Sequence, residues 1–221
     1  MNVERRATRL AHRAEANASL YFFTRHGFRQ QQNRRWLHNW HHETVCARLQ
    51  EVFDGRCRRL IINIPPRYAK TEIAVISFMA WALGRQPDAE FIHTSYASRL
   101  AVSNSMRCRD MVQSDWYAKL FPKTKVAAGS AAKDDWRTTA GGVVYATGAG
   151  GSITGYGAGK KREQPGFGGA IIIDELQRVA PFSPALKQAR DLLRDAFPIP
   201  LDLPNDMAGL IEVVEEVVPS R

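Results

Sequence analysis

A chain of 221 residues with 44% apolar content is long enough to bury a full core, most simply as one domain. The net charge of +9 lies wholly in residues 1–70, which hold 14 Lys/Arg against 5 Asp/Glu, while residues 71–221 hold 17 of each. No run of 18 apolar residues marks a membrane span and the basic, polar start lacks the apolar centre of a signal peptide. Three cysteines (Cys46, Cys57, Cys108) without metal-ligand spacing predict no disulfide framework and fit a reducing cytosol.

The early charge is mostly arginine, whose guanidinium fork pairs with phosphate oxygens; a solvated basic helix would give the same count. Residues 1–17 have helical spacing but few large apolar groups, which predicts a surface-lying helix. In residues 34–54, Trp36, Trp40, Val45, Leu49 and Val52 recur at spacings of three to five, the pattern of an amphipathic helix with a core face, ended by Gly55. Residues 60–64 read as a buried strand. A second helical stretch runs from Lys70 to Leu83, closed by Gly84 and by Pro87 beyond it. Residues 91–96 read as a strand and 98–114 as a helix. From 135 to 161 short β-prone pieces alternate with many glycines, which implies tight turns and close backbone approach.

Residues 168–175 read as a short buried strand ending in Asp174 and Glu175. Beyond it the chain is proline-rich around one helical piece (185–197), and the acidic stretch 205–218 has the look of a short helix. Nothing after residue 176 reads as another core strand. Alternation of strands and helices argues for an α/β fold with a largely parallel sheet.

The chemistry concentrates in IINIPPRYAKTE, Ile61 to Glu72. A phosphate-binding loop is written G-x-x-x-x-G-K-[ST], and here Ile64 and Ala69 stand at the two glycine positions before Lys70 and Thr71. Such a loop needs inward-pointing N–H groups, a lysine for phosphate charge and a hydroxyl for Mg²⁺. A Pro65-Pro66 turn that merely carries a lysine is the other reading. Asp174 and Glu175 supply what a P-loop ATPase needs downstream at the end of a strand neighbouring the loop strand: a carboxylate on the metal side and a second to polarise the attacking water. A strand that happens to end in surface acids is the bland alternative.

In order along the chain, PPRYAKTE, WALGRQPDAEFIHTSYASRLA, DWYAKLFP, TTAGGVVYATGAGGSITGYGAGK and GGAIIIDE resemble the ATPase domain of tailed-phage terminase large subunits, the motors that package DNA into proheads. The resemblance spans roughly residues 20–175. It implies a P-loop NTPase-like α/β fold, a mostly parallel sheet flanked by helices, incomplete on its C-terminal side. It implies ATP and Mg²⁺ as cofactors. Pro66, Arg67, Tyr68, Ala69, Lys70 and Thr71 would form the nucleotide-binding loop, Thr71 and Asp174 the Mg²⁺ ligands, and Glu175 the catalytic base, with Arg67 stabilising charge.

Implied partners are double-stranded DNA, the terminase small subunit and the portal protein, with a homo-oligomeric ring on the portal, no membrane, and the bacterial host cytoplasm as location. The chain divides on this reading into a basic helical region (1–57), an ATPase core (58–176) and a divergent tail (177–221). The family's nuclease domain and its Ser/Thr-rich coupling motif have no counterpart here, so the alternative is an inactive prophage remnant that binds nucleotide or DNA without turnover. A helicase-like or recombinase-like ATPase ranks third. Trp36, Trp40 or Gln50 are expected near the adenine, and Arg34, Arg35, Arg56, Arg58 and Arg59 near DNA phosphates or solvated. His38, His41, His42 and Cys46 have spacings that suit zinc, although exposed imidazoles on an amphipathic helix are the simpler reading, and Cys108 is expected to be buried.

Overall fold

In the computed structural model, residues 3–64, 67–129, 132–148, 151, 157–158, 166–174 and 210–215 are described. Three helices open the chain: α1 (Val3–Ala18), α2 (Leu20–Gln32) and α3 (Trp40–Phe53). The surface position expected of the first holds, since residues 6–15 are exposed. The Ser19 hydroxyl caps α2 by accepting the Phe22 N–H at 3.1 Å. Asn33 ends it in the left-handed region at φ 49°, a conformation asparagine tolerates, and its N–H closes on the Arg29 carbonyl at 3.1 Å.

The helix expected over 34–54 starts only at Trp40. Asn39 stands before it in extended conformation, and its N–H donates to Nδ1 of His42 at 3.2 Å, a local cap that sets the boundary. Val45, Leu49 and Val52 face the core as the spacing implies. Trp36, outside the helix, is half-buried against it, and Trp40 is 73% exposed.

β1 (Arg59–Ile64) leads into the loop. The following helix opens as a π-helical turn (Glu72–Ser77), in which the Phe78 N–H reaches the Ile73 carbonyl five residues back, and continues as α4 (Phe78–Arg85). Every residue from Ile73 to Leu83 is buried. Gly84, expected as the helix stop, lies inside α4. A Cβ there would sit 2.6 Å from the Phe121 ring, so glycine is required by packing rather than by termination.

β2 (Glu90–Ser95), α5 (Ser98–Gln113), α6 (Asp115–Leu120), β3 (Asp135–Arg137), β4 (Val143–Gly148), β5 (Gly169–Asp174) and β6 (Leu210–Glu215) complete the order. They form one sheet, β1-β6-β5-β2-β4-β3. The fold is α/β with a mixed sheet flanked by helices, which corrects the mostly parallel expectation. β2 pairs in parallel with β4 and β5, but β3 pairs antiparallel with β4, and β6 lies antiparallel between β1 and β5. The physical reason at one edge is connection length: residues 138–142 allow only a hairpin return, whereas parallel pairing needs a crossover of a dozen residues or more.

β6 overturns the expectation of no core strand after residue 176. Its Leu-Ile-Glu-Val-Val-Glu run is rich in β-branched residues, and ladders on both sides decide in favour of strand over helix. Because β6 opposes both neighbours, β1, β5, β2 and β4 all run the same way, and their carboxyl ends share one edge.

A single apolar cluster joins the opening helices to the sheet. Phe78 of α4 meets Phe91 of β2 edge-on at 6.3 Å, and Trp136 of β3 donates to the Ser105 hydroxyl of α5 at 3.0 Å. Both α4 and α5 therefore cover the face that carries Phe91 and, two and four residues on, His93 and Ser95. Trp81 fastens α1 by donating to the Ala16 carbonyl at 2.8 Å. Among the described residues no helix is long and apolar enough to cross a membrane.

Candidate functional site

The loop between β1 and the π-helical turn carries two of the three non-glycine residues with positive φ among the described residues. Arg67 and Ala69 have φ of 70° and 61°, while Tyr68 and Lys70 between and after them keep negative φ. Alternating φ sign turns successive N–H groups toward one side, the concave arrangement that holds anions. For residues bearing a Cβ, the left-handed region costs about 1–2 kcal/mol each, and such strain persists only where neighbours impose it.

Those neighbours are visible. The His41 Nε2–H of α3 donates to the Tyr68 carbonyl at 3.3 Å, and its ring stands edge-on to the Tyr68 ring at 5.5 Å. Ala69 packs against the core, and its carbonyl accepts the first helical N–H, from Ile73, at 2.9 Å. Lys70 is 4% exposed and folds back across the loop to bring Nζ within 3.5 Å of the Ile64 carbonyl. Thr71 follows, half-buried at the helix start, where the dipole favours an anion.

Asp174 ends β5 at the same edge as this loop. The acidic strand was expected beside the loop strand. Instead β6 separates them by two strand spacings, about 10 Å. Through β6, Ile61 lies level with Ile173, so the loop leaves β1 slightly beyond Asp174. Asp174 is 6% exposed, and its Oδ1 has no hydrogen-bond partner among the described residues. Its register partner on β2, Ser95, is fully buried with an equally unpartnered hydroxyl.

Two residues back, buried His93 donates from Nδ1 to the Ile172 carbonyl at 3.3 Å, and Asn104 of α5 lies 3.4 Å from its Nε2. A carbonyl only accepts, so Nδ1 carries the proton and the Asn104 amide donates to Nε2. Burial lowers the His93 pKa; the charge of Asp174 and the bond to Ile172 oppose the shift. The ring is thereby held neutral behind Asp174.

Glu72, directly after Thr71, forms an ion pair with Arg107 of α5. Its other carboxylate oxygen is buried and unpartnered among the described residues. This pair ties the π-helical turn to α5.

Of the remaining expected residues, Arg67 and Tyr68 are exposed, and no described carboxylate pairs with Arg67. Pro66 and Glu175 lie outside the described residues, as do Pro65, most of SITGYGAG and the helical piece 185–197. Gln50 is committed elsewhere: its side chain accepts the Leu20 N–H at 3.1 Å and donates to the Ala18 carbonyl at 3.0 Å, bridging the α1–α2 junction. Trp36 meets Phe28 and His42. Trp40 stands edge-on to His41, which in turn meets the exposed Tyr68, so of the three residues expected near adenine Trp40 is the one aligned with the loop.

The four residues with zinc-like spacing are separately engaged. His38 bonds the Tyr21 hydroxyl, His41 the loop, and His42 the α3 cap, while Cys46 is buried. Arg34, Arg35, Arg58 and Arg59 are exposed, and Arg56 pairs with Asp54 at 2.9 Å. Cys108 is buried, as expected.

Sequence reasoning did not single out Ser95, His93, Glu72, Arg107 or the loop-holding role of His41. The available signal was position. Ser95 closes a strand of an α/β sheet, and ligands sit outside the carboxyl ends of such strands. No protein-family model, curated protein or solved structure matches the chain.

Proposed function

We propose that this chain is an ATP-hydrolysing motor domain of the terminase large-subunit type, binding ATP with Mg²⁺ at the carboxyl edge of the sheet. The observation that carries the reading is the loop's alternating backbone. A chain that holds Arg67 and Ala69 in the left-handed region, against a cost, with buried Lys70 at the end, has the form of an anion cradle. The loop amides and Lys70 hold the phosphates, Thr71 faces them from the helix start, and exposed Arg67 offers a cation to charge developing in transfer.

The residues present fit a hydrated divalent cation, because Asp174 brings to the same edge a buried carboxylate oxygen that has no partner among the described residues. Bound Mg²⁺ supplies neutralisation of phosphate charge. Glu175 is assigned the base on resemblance. Double-stranded DNA as the translocated substrate, the small subunit and portal as partners, ring assembly and the host cytoplasm belong to the same proposal.

The test is Mg²⁺-dependent ATP binding and hydrolysis by the full chain beside Lys70→Ala and Glu175→Ala. Turnover lost in both variants, with binding weakened only in Lys70→Ala, is the expected result. Binding without turnover in the unaltered chain gives the remnant reading instead, and absence of nucleotide binding refutes the motor reading and the claim that the loop holds phosphate.

A further inference from the structure

Ser95 poses a physical problem that the loop and Asp174 do not answer. Its hydroxyl is fully buried at the end of β2 and has no partner among the described residues. A buried polar group left unpaired costs about 1–3 kcal/mol. Alanine fits the same space without that cost, and among the described residues nothing rewards the hydroxyl.

The register says what it is next to. Ser95 and Asp174 are Cα partners on adjacent parallel strands, so their side chains project from the same face about 4.8 Å apart. The same face carries the π-helical turn that begins just after Lys70 and Thr71. Among the described residues neither the hydroxyl nor the carboxylate Oδ1 has a partner, so they do not satisfy each other. The start of α5 lies close over the same edge: at Gly148, Ser95's register partner on β4, a Cβ would lie 2.8 Å from the Ser98 nitrogen.

We propose that Ser95 is a positioning residue for the divalent cation that accompanies the nucleotide: its hydroxyl, with the Asp174 carboxylate, anchors the cation's water shell. The inference rests on the nucleotide-binding reading and adds a second oxygen donor from a different strand. Two anchors on neighbouring strands fix a water shell in direction as well as distance, and outer-shell partners of this kind tune metal affinity through orientation.

The full chain, Ser95→Ala and Ser95→Thr are compared in two measurements. One is thermal unfolding without ligand. The other is the Mg²⁺ concentration that half-saturates binding of a non-hydrolysable, fluorescent ATP analogue, repeated with Mn²⁺. Ser95→Ala is expected to unfold at or above the temperature of the unaltered chain, yet to need about tenfold more of either cation. Ser95→Thr keeps the hydroxyl, so it retains the cation dependence while its extra methyl lowers stability.

An alanine variant that is less stable but unchanged in cation dependence means a structural serine and overturns the inference. An alanine variant identical to the unaltered chain in both measurements overturns it too, and leaves the nucleotide reading intact. An unaltered chain without Mg²⁺-dependent binding overturns both.

Discussion

Replacing Ala69 by glycine should stabilise this protein, against the usual sign of that substitution. The residue sits at φ 61°, where a Cβ costs about 1–2 kcal/mol that glycine does not incur. Two terms oppose the gain. Glycine adds about 0.4–1 kcal/mol of backbone entropy to the unfolded chain, and loss of a half-buried methyl costs about 0.4 kcal/mol, half the value for full burial. The net is about 0.5 kcal/mol in favour of Ala69→Gly, or about 1–2 °C in a domain of this size.

A control fixes the scale. Ala47 is exposed in the middle of α3, where glycine costs about 1 kcal/mol, so Ala47→Gly should lower the midpoint by about 2–4 °C. Urea and thermal unfolding of the two variants should therefore diverge in sign. Nucleotide affinity of Ala69→Gly should match or exceed that of the parent, because the cradle shape is kept. If both variants lose the same stability, Ala69 is not held in the left-handed region and the anion-cradle argument loses its footing.

Two further outcomes follow from buried groups. Burial, with His41 and His38 nearby, pushes His42 down to about 4, and its unprotonated Nδ1 accepts the Asn39 N–H at the start of α3. The folded value lies below the unfolded one, so the contribution is complete above about pH 6.5 and is lost as pH falls toward 4, amounting to about 1–2 kcal/mol after solvent screening. His42→Gln keeps the cap acceptor without titrating, so stability curves from pH 7 to 4 should steepen only for the parent; parallel curves refute the assignment. Burial also pushes the Cys46 thiol up to about 12 and raises that of Cys108, while Cys57 is only half-buried. A thiol reagent at neutral pH should modify one cysteine quickly in the folded chain and all three after denaturation; a second fast thiol contradicts the packing of α3 or α5.

The strand–loop–helix unit was legible because short apolar runs bounded by turn residues announce themselves locally, and the downstream carboxylates because they end such a run. What escaped was decided at a distance. No element was read over residues 20–33, where Gly27 weakens the helical pattern. In the fold that glycine admits the Trp116 ring, which would lie 3.0 Å from a Cβ, and the contact stabilises the helix that propensity alone does not support.

β6 was read as helix because its acidic residues suit one, and only its ladders with β1 and β5 settle the matter. At the site, the residue types of the loop were readable but its φ angles were not. The pairing of Ser95 with Asp174 required the register of two strands separated by nearly eighty residues.

The π-helical turn after Thr71 has a geometric consequence of its own. Successive residues of an α-helix are rotated by about 100°, and a π turn accommodates one residue more than an α-helix would over the same rise. Wound as a regular α-helix with the residue count unchanged and Phe78–Leu83 still facing inward, the segment from Glu72 to Ser77 would swing Lys70 and Thr71 by about 100° around its axis, away from the loop amides and Asp174. Deleting one residue there would instead give a regular helix with both ends still in phase. The widened turn sets the angular phase between the part of the helix that fills the core and the part that meets the loop.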